Sequence, residues 1–399
     1  MKLHRILVDA VISALNQIFF EDKYADKVIE RVLASNKKWG ARDRAFIAET
    51  TYEMVRWWRL LAHCEGNTWQ QPNGLWRMFG TWHLLQDHPL PAWTEFQDVP
   101  HDQIVARYQA AQKTRAIIQS IPDWMDELCA SELGDSWTKE LTALNQAASV
   151  VLRVNTLKTN TADLRALLQK DGIETDFVTA VPTALKLRKR QNLFTTEHFK
   201  NGLFEIQDAG SQLIGDYMGV KPGMRVIDAC AGAGGKTLQL AAAMQNKGQL
   251  IALDIEGYKL TELRRRATRA GVNNVETRTI ENTKTIKRLH ETADRLLLDV
   301  PCSGLGVLRR NPDAKWKLKL DFVDKVRQTQ REILSNYPQM LKSGGEMVYA
   351  TCSILPSEDE QQVEWFLANN PNFELLKSHH VSPSETGFDG FFMALLRKK

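Results

Sequence analysis

The 399-residue sequence lacks three features that would assign it to a class directly. Its five cysteines are widely spaced and form no Cys-x-x-Cys pair. That spacing argues against a zinc centre or a disulfide framework, so we expect no bound metal and a reducing, cytoplasmic location. No apolar run approaches the roughly 20 residues that span a bilayer, so we expect no membrane partner. The net charge of +4 is small and neither requires nor excludes nucleic acid.

Most of the tryptophan lies in the first third of the chain. Nine of the eleven tryptophans precede residue 140, where apolar residues recur at helical spacing. The pattern predicts an all-α accessory domain over 1–148, with the aromatic residues in a helical core and no metal, nucleotide or nucleophile motif. The predicted helices cover 4–20, 24–36, 41–62, 75–86, 101–118, 122–131 and 135–147.

A different pattern begins near residue 149. A strand (VVLRVNTLK), a helix ended by Gly172 and two short strands (ETDFVTAVPTALKL) predict a small α+β domain over 149–205. It carries a basic cluster, defined as Lys186, Arg188, Lys189 and Arg190. Such a cluster either contacts nucleic acid or forms a solvated edge, and the sequence leaves both readings open.

Strands and helices alternate over 206–399, which predicts a doubly wound, largely parallel α/β sheet. The predicted strands are 224–229, 249–254, 275–280, 294–300, 345–351 and 390–397. The predicted helices are 235–245, 257–271, 321–341 and 358–369.

The loop DACAGAGGKT, residues 228–237, follows the first of these strands. A Walker A loop would need glycine where Cys230 stands, and the dinucleotide fingerprint would need its third glycine at Thr237. The loop of class I S-adenosylmethionine methyltransferases is an acid followed by alternating glycines. Asp228, Cys230, Gly232 and Gly234 occupy that frame, with cysteine in place of the first glycine. Glycines let the backbone approach a ligand, and the next helix offers free N–H groups. A tight turn without a ligand is the alternative.

Two acidic residues lie beyond the next two strands. Asp254 ends the strand QLIALD, where a carboxylate can accept both ribose hydroxyls of an adenosyl group. An ordinary helix cap is the other reading of Asp254. Glu281 follows the strand VETRTI, at the place expected for the adenine.

Cys302 (LLLDVPCSG) and Cys352 (YATCS) each follow an apolar run that predicts a buried parallel strand. The carboxyl ends of such strands form the ligand crevice of open α/β sheets. Carbon 5 of cytosine is a poor nucleophile, and a thiolate that adds to carbon 6 makes carbon 5 enamine-like. A second thiol and an acid, Asp299, would assist the remaining steps. Free cysteines are more often small buried hydrophobes, a reading we adopt for Cys64 and Cys129.

The chain closely resembles the RsmB/Sun/Nop family of RNA cytosine-carbon-5 methyltransferases through most of its length. The resemblance rests on Gly40–Arg56, Leu152–Lys158, Phe204–Leu213, Cys230–Lys236, Asp299–Gly304, Arg309–Asp313 with Lys315 and Trp316, Thr351–Ser353 and Asp389–Phe392. It implies a NusB-like helical domain, a small linker domain and a Rossmann-like class I methyltransferase domain. It also implies that Cys352 attacks the base, Cys302 assists product release, and Asp299 contacts cytosine and cofactor.

The implied cofactor is S-adenosylmethionine, and the implied partner is RNA, bound by a monomer. Ribosomal RNA is expected first and transfer RNA second; a non-catalytic RNA-binding assembly factor and a P-loop ATPase are the competing functions. The cofactor residues are expected to be Asp228, Cys230, Ala231, Gly232, Ala233, Gly234, Gly235, Lys236, Asp254, Glu281 and Asp299. The chain departs from the family at Gly232 and Ala233, where Ala-Pro is usual, and at Glu281, where Asp is usual.

Two further expectations concern the neighbourhood of the thiols. The string SEDE, from Ser357 to Glu360, has the pattern of a capping box that would start the helix after Cys352. A second basic group suits a phosphate backbone, with a solvated loop as the alternative. It comprises Arg309, Arg310, Lys315, Lys317 and Lys319.

Overall fold

The computed structural model describes residues 3–399 and groups them into two compact units. The first contains the described part of Met1–Gln146 together with Leu308–Leu320, and the second contains Ala147–Val307 and Asp321–Lys399. Across this described range, the helices are all too short or too polar to cross a membrane.

The first unit is helical, as predicted. Its helices are α1 (Arg5–Phe19), α2 (Ala25–Ser35), α3 (Ala41–Arg56), α4 (Trp58–Glu65), α5 (Gly74–Leu84), α6 (His101–Ala111), α7 (Arg115–Ile118), α8 (Asp123–Leu133) and α9 (Trp137–Leu144). The predicted helix 41–62 is divided at Trp57, whose backbone (φ −102°, ψ 18°) leaves the helical region. The predicted helix 101–118 is likewise two helices, α6 and α7.

Most tryptophans of the first unit pack in or against its core, as the sequence predicts. Val8, Val11 and Leu15 of α1 are fully buried, at the three- and four-residue spacing that places side chains on one helix face. The ring of Phe19 stacks on Trp58 with centroids 3.5 Å apart. The tryptophans therefore contribute to the stability of the first unit and not to a reaction.

Two sheets and the remaining helices complete the chain. The strands are β1 (Val151–Val154), β2 (Thr175–Phe177), β3 (Ala184–Leu187), β4 (Phe204–Ile206), β5 (Arg225–Asp228), β6 (Gln249–Asp254), β7 (Val275–Thr279), β8 (Ala293–Asp299), β9 (Leu341–Thr351), β10 (Phe373–Val381) and β11 (Phe391–Lys398). The helices are α10 (Thr161–Lys170), α11 (Glu197–Lys200), α12 (Ala209–Tyr217), α13 (Gly235–Ala243), α14 (Gly257–Ala270), α15 (Thr283–Lys287), α16 (Ala314–Lys317), α17 (Leu320–Asn336), α18 (Glu360–Asn369) and α19 (Pro383–Thr386).

The smaller sheet has the order β2-β3-β1-β4, with every pair antiparallel. The predicted strands and helix of this region are present, and Asn160 caps α10 by accepting a hydrogen bond from the backbone N–H of Asp163 (2.9 Å). Strand β4 was not predicted, and it crosses the expected boundary at residue 205. The division into three domains, at 148 and 205, therefore stays a proposal.

The larger sheet has the order β10-β11-β9-β8-β5-β6-β7. Strands β5 to β9 are parallel to their neighbours, and β11 runs antiparallel between β9 and β10. The predicted parallel sheet is thus confirmed, with an antiparallel edge added. Strand β5 pairs with β6 on one side and β8 on the other, so the strand order reverses there, and a crevice opens at such a point.

Leu308–Leu320 packs within the first unit, although the sequence placed it in the C-terminal domain. The Trp316 indole donates to the carbonyl of Val55 (2.7 Å), and Asp313 accepts from the backbone N–H of Ala25 (2.9 Å). Lys315 is fully buried and donates to the carbonyls of Arg56 and Ser120, both at 3.1 Å, and to the side-chain oxygen of Asn145. Burial, with the nearby Arg56 charge, lowers the pKa of Lys315 well below its ordinary value.

Replacing Lys315 with methionine should destabilise the first unit by about 2–4 kcal/mol, because the change leaves buried acceptors without donors. Tryptophan fluorescence during urea unfolding measures the effect. Lys319→Met is the matched control, since Lys319 is exposed in the same segment. Equal midpoints for the two variants would show that the three hydrogen bonds contribute nothing.

Candidate active site

The loop between β5 and α13 has a backbone that only glycine adopts easily. Gly234 has φ +88°, and a β-carbon there would lie 2.5 Å from Cγ of Leu263. Gly232 has φ +53°, and open space surrounds the position its β-carbon would occupy. An adenosyl cofactor with a carboxylate fits such a loop, because the space beside the backbone is free and α13 begins immediately afterwards.

Asp254, at the end of β6, holds this loop in place. Its carboxylate accepts from the backbone N–H of Gly232 and from that of Glu256, both at 2.8 Å. The side chain is 8% exposed, so part of its surface stays accessible beside the loop. These contacts place the predicted ribose acid against the predicted cofactor loop, and each carboxylate oxygen retains a lone pair for a hydroxyl.

Lys236 and Asp299 form an ion pair between the first turn of α13 and the end of β8. The Lys236 nitrogen lies 2.7 Å from Oδ2 of Asp299 and 5.7 Å from the ring centre of Phe391. Burial opposes the charge of Lys236, yet the Asp299 carboxylate outweighs it and raises the pKa of the lysine, with a smaller contribution from Cys352. A fixed positive charge therefore lies near the thiols.

Cys302 and Cys352 lie side by side. Their sulfur atoms are 3.1 Å apart, and the backbone N–H of Cys352 donates to the sulfur of Cys302 (3.2 Å). The hydrogen bond with Cys352, followed by burial, raises the pKa of the Cys302 thiol well above its ordinary value. Cys302 therefore stays protonated while it can donate to the Cys352 sulfur.

Glycines allow the strand ends around the thiols to approach closely. The N–H of Gly306 donates to the carbonyl of Cys352 (3.0 Å), and the N–H of Gly390 donates to the carbonyl of Gly306 (2.8 Å). A β-carbon on Gly306 would lie 2.3 Å from the Gly390 carbonyl oxygen. The DGFF string thus packs beside the Cys302 loop rather than forming a separate motif.

Comparison with known proteins bears on the same residues. A family model described as 16S rRNA methyltransferase RsmB/F matches 217–397, and one for the RsmF/B-like ferredoxin-like domain matches 121–193. The probable ribosomal RNA small subunit methyltransferase B of Synechocystis is 33% identical over 298 residues, which are 70% of this chain and 67% of the relative. The corresponding Vibrio cholerae protein is 34% identical, over 70% of this chain and 65% of its own length.

The chain belongs to the RsmB/F methyltransferase family. It spans about two thirds of the length of these curated relatives. A crystal structure of a protein described as PH0851 is 25% identical with a TM-score of 0.84, and the match covers the whole of both chains. The resemblance inferred from the cysteine strings is therefore confirmed at the level of family.

The remaining predicted residues of this RsmB/F site are placed as follows. Glu281 is exposed in the loop after β7, so its contact with adenine stays a prediction. Cys230 is half-buried, and burial together with the carboxylates of Asp228, Asp299 and Asp254 raises the pKa of its thiol well above the ordinary value. Cys230 is therefore a neutral part of the loop.

Asp228 is a buried residue that holds the cofactor loop in place. It is 1% exposed, and the Thr237 hydroxyl donates to its carboxylate (2.7 Å), which joins the end of β5 to the first turn of α13. Burial raises the pKa of this carboxyl to about 7. The contact with Thr237 supports a role in shaping the loop, whereas direct contact with the cofactor stays a prediction.

Asp228→Asn should stabilise the protein above pH 7. The native state holds a proton on Asp228 up to about pH 7, while the unfolded chain releases it near pH 4, so this group lowers stability as pH rises between the two values. Asparagine removes that loss, a gain on the order of a few kcal/mol. Unfolding by urea at pH 5 and pH 8 measures it, with exposed Asp98→Asn as control. A gain no larger at pH 8 than at pH 5 would contradict the prediction.

One expectation about this neighbourhood was wrong, and a second was wrong for two of its five residues. Helix α18 begins at Glu360 with Asp359 as its N-cap, so Ser357 and Glu360 do not form a capping box. Arg309 and Lys315 are buried within the first unit, so they are not available to a phosphate backbone. In both cases tertiary contacts use side chains that the local pattern assigns to the surface or the helix end.

The structure adds two residues that motif reading missed. Arg153 of β1 donates to the Gly235 carbonyl and to Gln207, which attaches the smaller sheet to the cofactor loop. Arg266 of α14 donates to the Ala233 carbonyl (2.8 Å) and to Glu205 of β4 (3.0 Å). Arg153 lies in the LRVNTLK string, and Gln207 and Glu205 lie in Phe204–Leu213, so both strings carried a signal in the sequence.

Proposed function

We propose that the protein transfers a methyl group from S-adenosylmethionine to carbon 5 of a cytosine in RNA, with ribosomal RNA as the first substrate and transfer RNA as the second. The observation that carries the proposal is the thiol pair at 3.1 Å, beside the Lys236–Asp299 ion pair at the carboxyl end of the sheet. Positioning alone serves oxygen and nitrogen methylation, whereas carbon 5 needs a nucleophile.

The family resemblance implies the roles of the residues, and their contacts support the assignment. Cys352 adds to carbon 6, and the electron pair of the 5,6 double bond makes carbon 5 able to attack the methyl group. A base from the solvent then takes the carbon-5 proton, the electron pair of that bond re-forms the 5,6 double bond, and the electron pair of the bond between carbon 6 and sulfur returns to the Cys352 sulfur. Cys302, which keeps its proton, donates to the departing Cys352 sulfur. Asp299, which accepts a hydrogen bond from Lys236, would contact the base and the cofactor.

S-adenosylmethionine supplies the methyl group when it is bound. The loop from Cys230 to Lys236, including Ala231, Ala233 and Gly235, would hold its methionine part, and Asp254 would accept the ribose hydroxyls. Asp254 is already hydrogen-bonded to the loop at Gly232, which pre-organises both halves of the site. A reactive base must leave its stack to reach the thiols.

The first unit and the smaller sheet are proposed to hold RNA, with the first unit acting as a NusB-like domain and the protein as a cytoplasmic monomer. The lack of catalytic motifs in either part motivates this assignment. Within the basic cluster, Lys186 and Lys189 are exposed, whereas Arg188 pairs with Asp176 (2.7 Å) and Arg190 donates to the Ala148 carbonyl (2.8 Å).

Neutralising the basic cluster should weaken RNA binding and flatten its dependence on salt, by a slope of about 0.7–0.9 for each phosphate that the variant no longer neutralises. Lys186→Gln with Lys189→Gln should account for most of the effect, because the two arginines are engaged elsewhere. Filter binding at several salt concentrations measures the slope. A matched pair, Lys170→Gln with Lys247→Gln, removes the same charge from other exposed sites. Equal slopes for the two pairs would exclude the cluster from the interface.

Bisulfite sequencing of RNA from cells with and without the protein tests the proposed function directly. The expected result is one cytosine, or a few, that lose protection when the protein is absent and regain it with the purified protein and S-adenosylmethionine. Protection that disappears only from transfer RNA would favour the second substrate. RNA binding without any change in methylation would support the non-catalytic assembly factor and overturn the proposal.

A further inference from the structure

The carboxylate of Glu358 connects the two cysteine loops. Its Oε2 accepts from the backbone N–H of Ser303, the residue after Cys302 (2.7 Å). Its Oε1 accepts from the hydroxyl of Ser353, the residue after Cys352 (2.7 Å). Glu358 and Ser353 are completely buried. One rigid group therefore spans both loops immediately behind the thiols.

Further contacts fix the position of Glu358 itself. The amide of buried Gln330 in α17 donates to Oε2 of Glu358 and to the carbonyl of Pro301, both at 3.0 Å. The Tyr349 hydroxyl in β9 donates to the Glu358 carbonyl (2.6 Å). The bridging carboxylate is thus tied to a helix and to a central strand, neither of which belongs to the loops that it joins.

Neutral groups hold the carboxylate of Glu358. Within residues 3–399, the side-chain carboxylate of Glu358 is held by an amide N–H, a hydroxyl and a side-chain amide, all of them neutral donors. Burying a carboxylate against neutral donors is costly, and a neutral residue of the same shape would stabilise a fold better. The thiol of Cys302 is one group that lies within the influence of this charge.

We propose that Glu358 is a positioning residue for the thiol pair, setting the separation of Cys302 and Cys352 and placing a negative charge beside Cys302. The inference rests on the proposed function and deepens it, because it names the group that gives the two cysteines different roles. Glu358 does not touch the reacting atoms and acts through Ser303 and Ser353.

The charge has a defined consequence for Cys302. The hydrogen bond to Cys352 and burial are the main causes that raise the pKa of Cys302, and the Cys352 and Glu358 charges add to them. A negative charge nearby disfavours the thiolate of Cys302. Cys302 consequently keeps the proton that release of the product requires, while Cys352 is the thiol left to react.

Glu358→Gln in the full-length protein separates charge from shape, since glutamine keeps one acceptor oxygen and the same length. The rate at which iodoacetamide alkylates Cys302 is measured as a function of pH, by mass spectrometry of the peptide that contains Cys302. The proteins with and without Glu358→Gln are compared, both of them carrying Cys352→Ala. The expected result is a midpoint lower by about half a pH unit or more with Glu358→Gln. Glu360→Gln, whose carboxylate pairs instead with His380, is the matched control and should leave the midpoint unchanged.

Methylation supplies the second measurement, with Cys352 restored. Glu358→Gln should lower kcat by about tenfold or more, with the KM for S-adenosylmethionine unchanged, because the cofactor loop does not contact it. Ser353→Ala, which removes one anchor, should lower kcat in the same direction. A normal alkylation midpoint, or an unchanged kcat, in Glu358→Gln would overturn the positioning role. A wild-type protein that methylates no RNA overturns the proposed function instead, and the alkylation result still decides the role of Glu358.

Discussion

Replacing Cys302 with alanine should leave a covalent adduct between protein and RNA that survives denaturing gel electrophoresis. Cys352 can still attack carbon 6 and methyl transfer can still occur, but the proton donor at 3.1 Å from the Cys352 sulfur is gone. Loss of such proton transfer slows a step by about 10²–10⁴-fold, so the intermediate accumulates. Cys352→Ala should abolish both methylation and the adduct, because the attacking sulfur is missing.

The double variant and a remote cysteine complete this experiment. Cys302→Ala with Cys352→Ala should form no adduct, and Cys129→Ala, at a buried cysteine of the first unit, should behave as the wild type. An adduct in Cys352→Ala but not in Cys302→Ala would reverse the two roles. Normal turnover in both single variants would exclude a thiol mechanism for this protein.

Asp254→Ala should weaken the binding of S-adenosylmethionine by about 10²–10⁴-fold. The variant cannot form two charge-assisted hydrogen bonds to the ribose, each worth about 1.5–3 kcal/mol. The Gly232 N–H is also left without its carboxylate partner, so the loop itself loosens. Isothermal titration calorimetry with the full-length protein measures the affinity directly.

The affinities of two further variants, Asp254→Asn and Glu281→Ala, are compared with that of Asp254→Ala. Asparagine keeps an acceptor for one hydroxyl and should bind more tightly than the alanine variant. Glu281 is exposed and should matter less than Asp254. If the wild type binds ATP in preference to S-adenosylmethionine, the cofactor assignment is wrong and the P-loop ATPase is favoured instead.

The sequence predicted well wherever local pattern and function coincide. The ends of β5, β6 and β8 are apolar runs closed by Asp228, Asp254 and Asp299, and the structure ends the strands at those residues. The thiols follow from the same logic, since parallel strands bring their carboxyl ends to one edge. Apolar runs and the residues that close them therefore predicted where these strands end.

Features that depend on tertiary contact were not predictable in this way. Strand β10 (FELLKSHHV) was not predicted. It is mostly exposed, and its residues therefore show neither the alternation nor the apolar run that indicates a strand. The local pattern assigned no role to Glu358 within the SEDE string, because only the folded chain brings the Ser303 N–H to within 2.7 Å of its carboxylate. The local pattern also predicts that Lys315 lies on the surface. Its burial was not predictable, because its three acceptors belong to residues more than a hundred positions away in the sequence.

The location of Leu308–Leu320 in the first unit has a consequence for biosynthesis. The carbonyls of Arg56 and Ser120 receive hydrogen bonds from Lys315, so the first unit is completed only after most of the second unit has been synthesised. By then all the strands from β1 to β8 have already been synthesised. A nascent chain arrested before residue 308 would expose an unfinished helical core, and incomplete cores of this kind are what chaperones and proteases recognise.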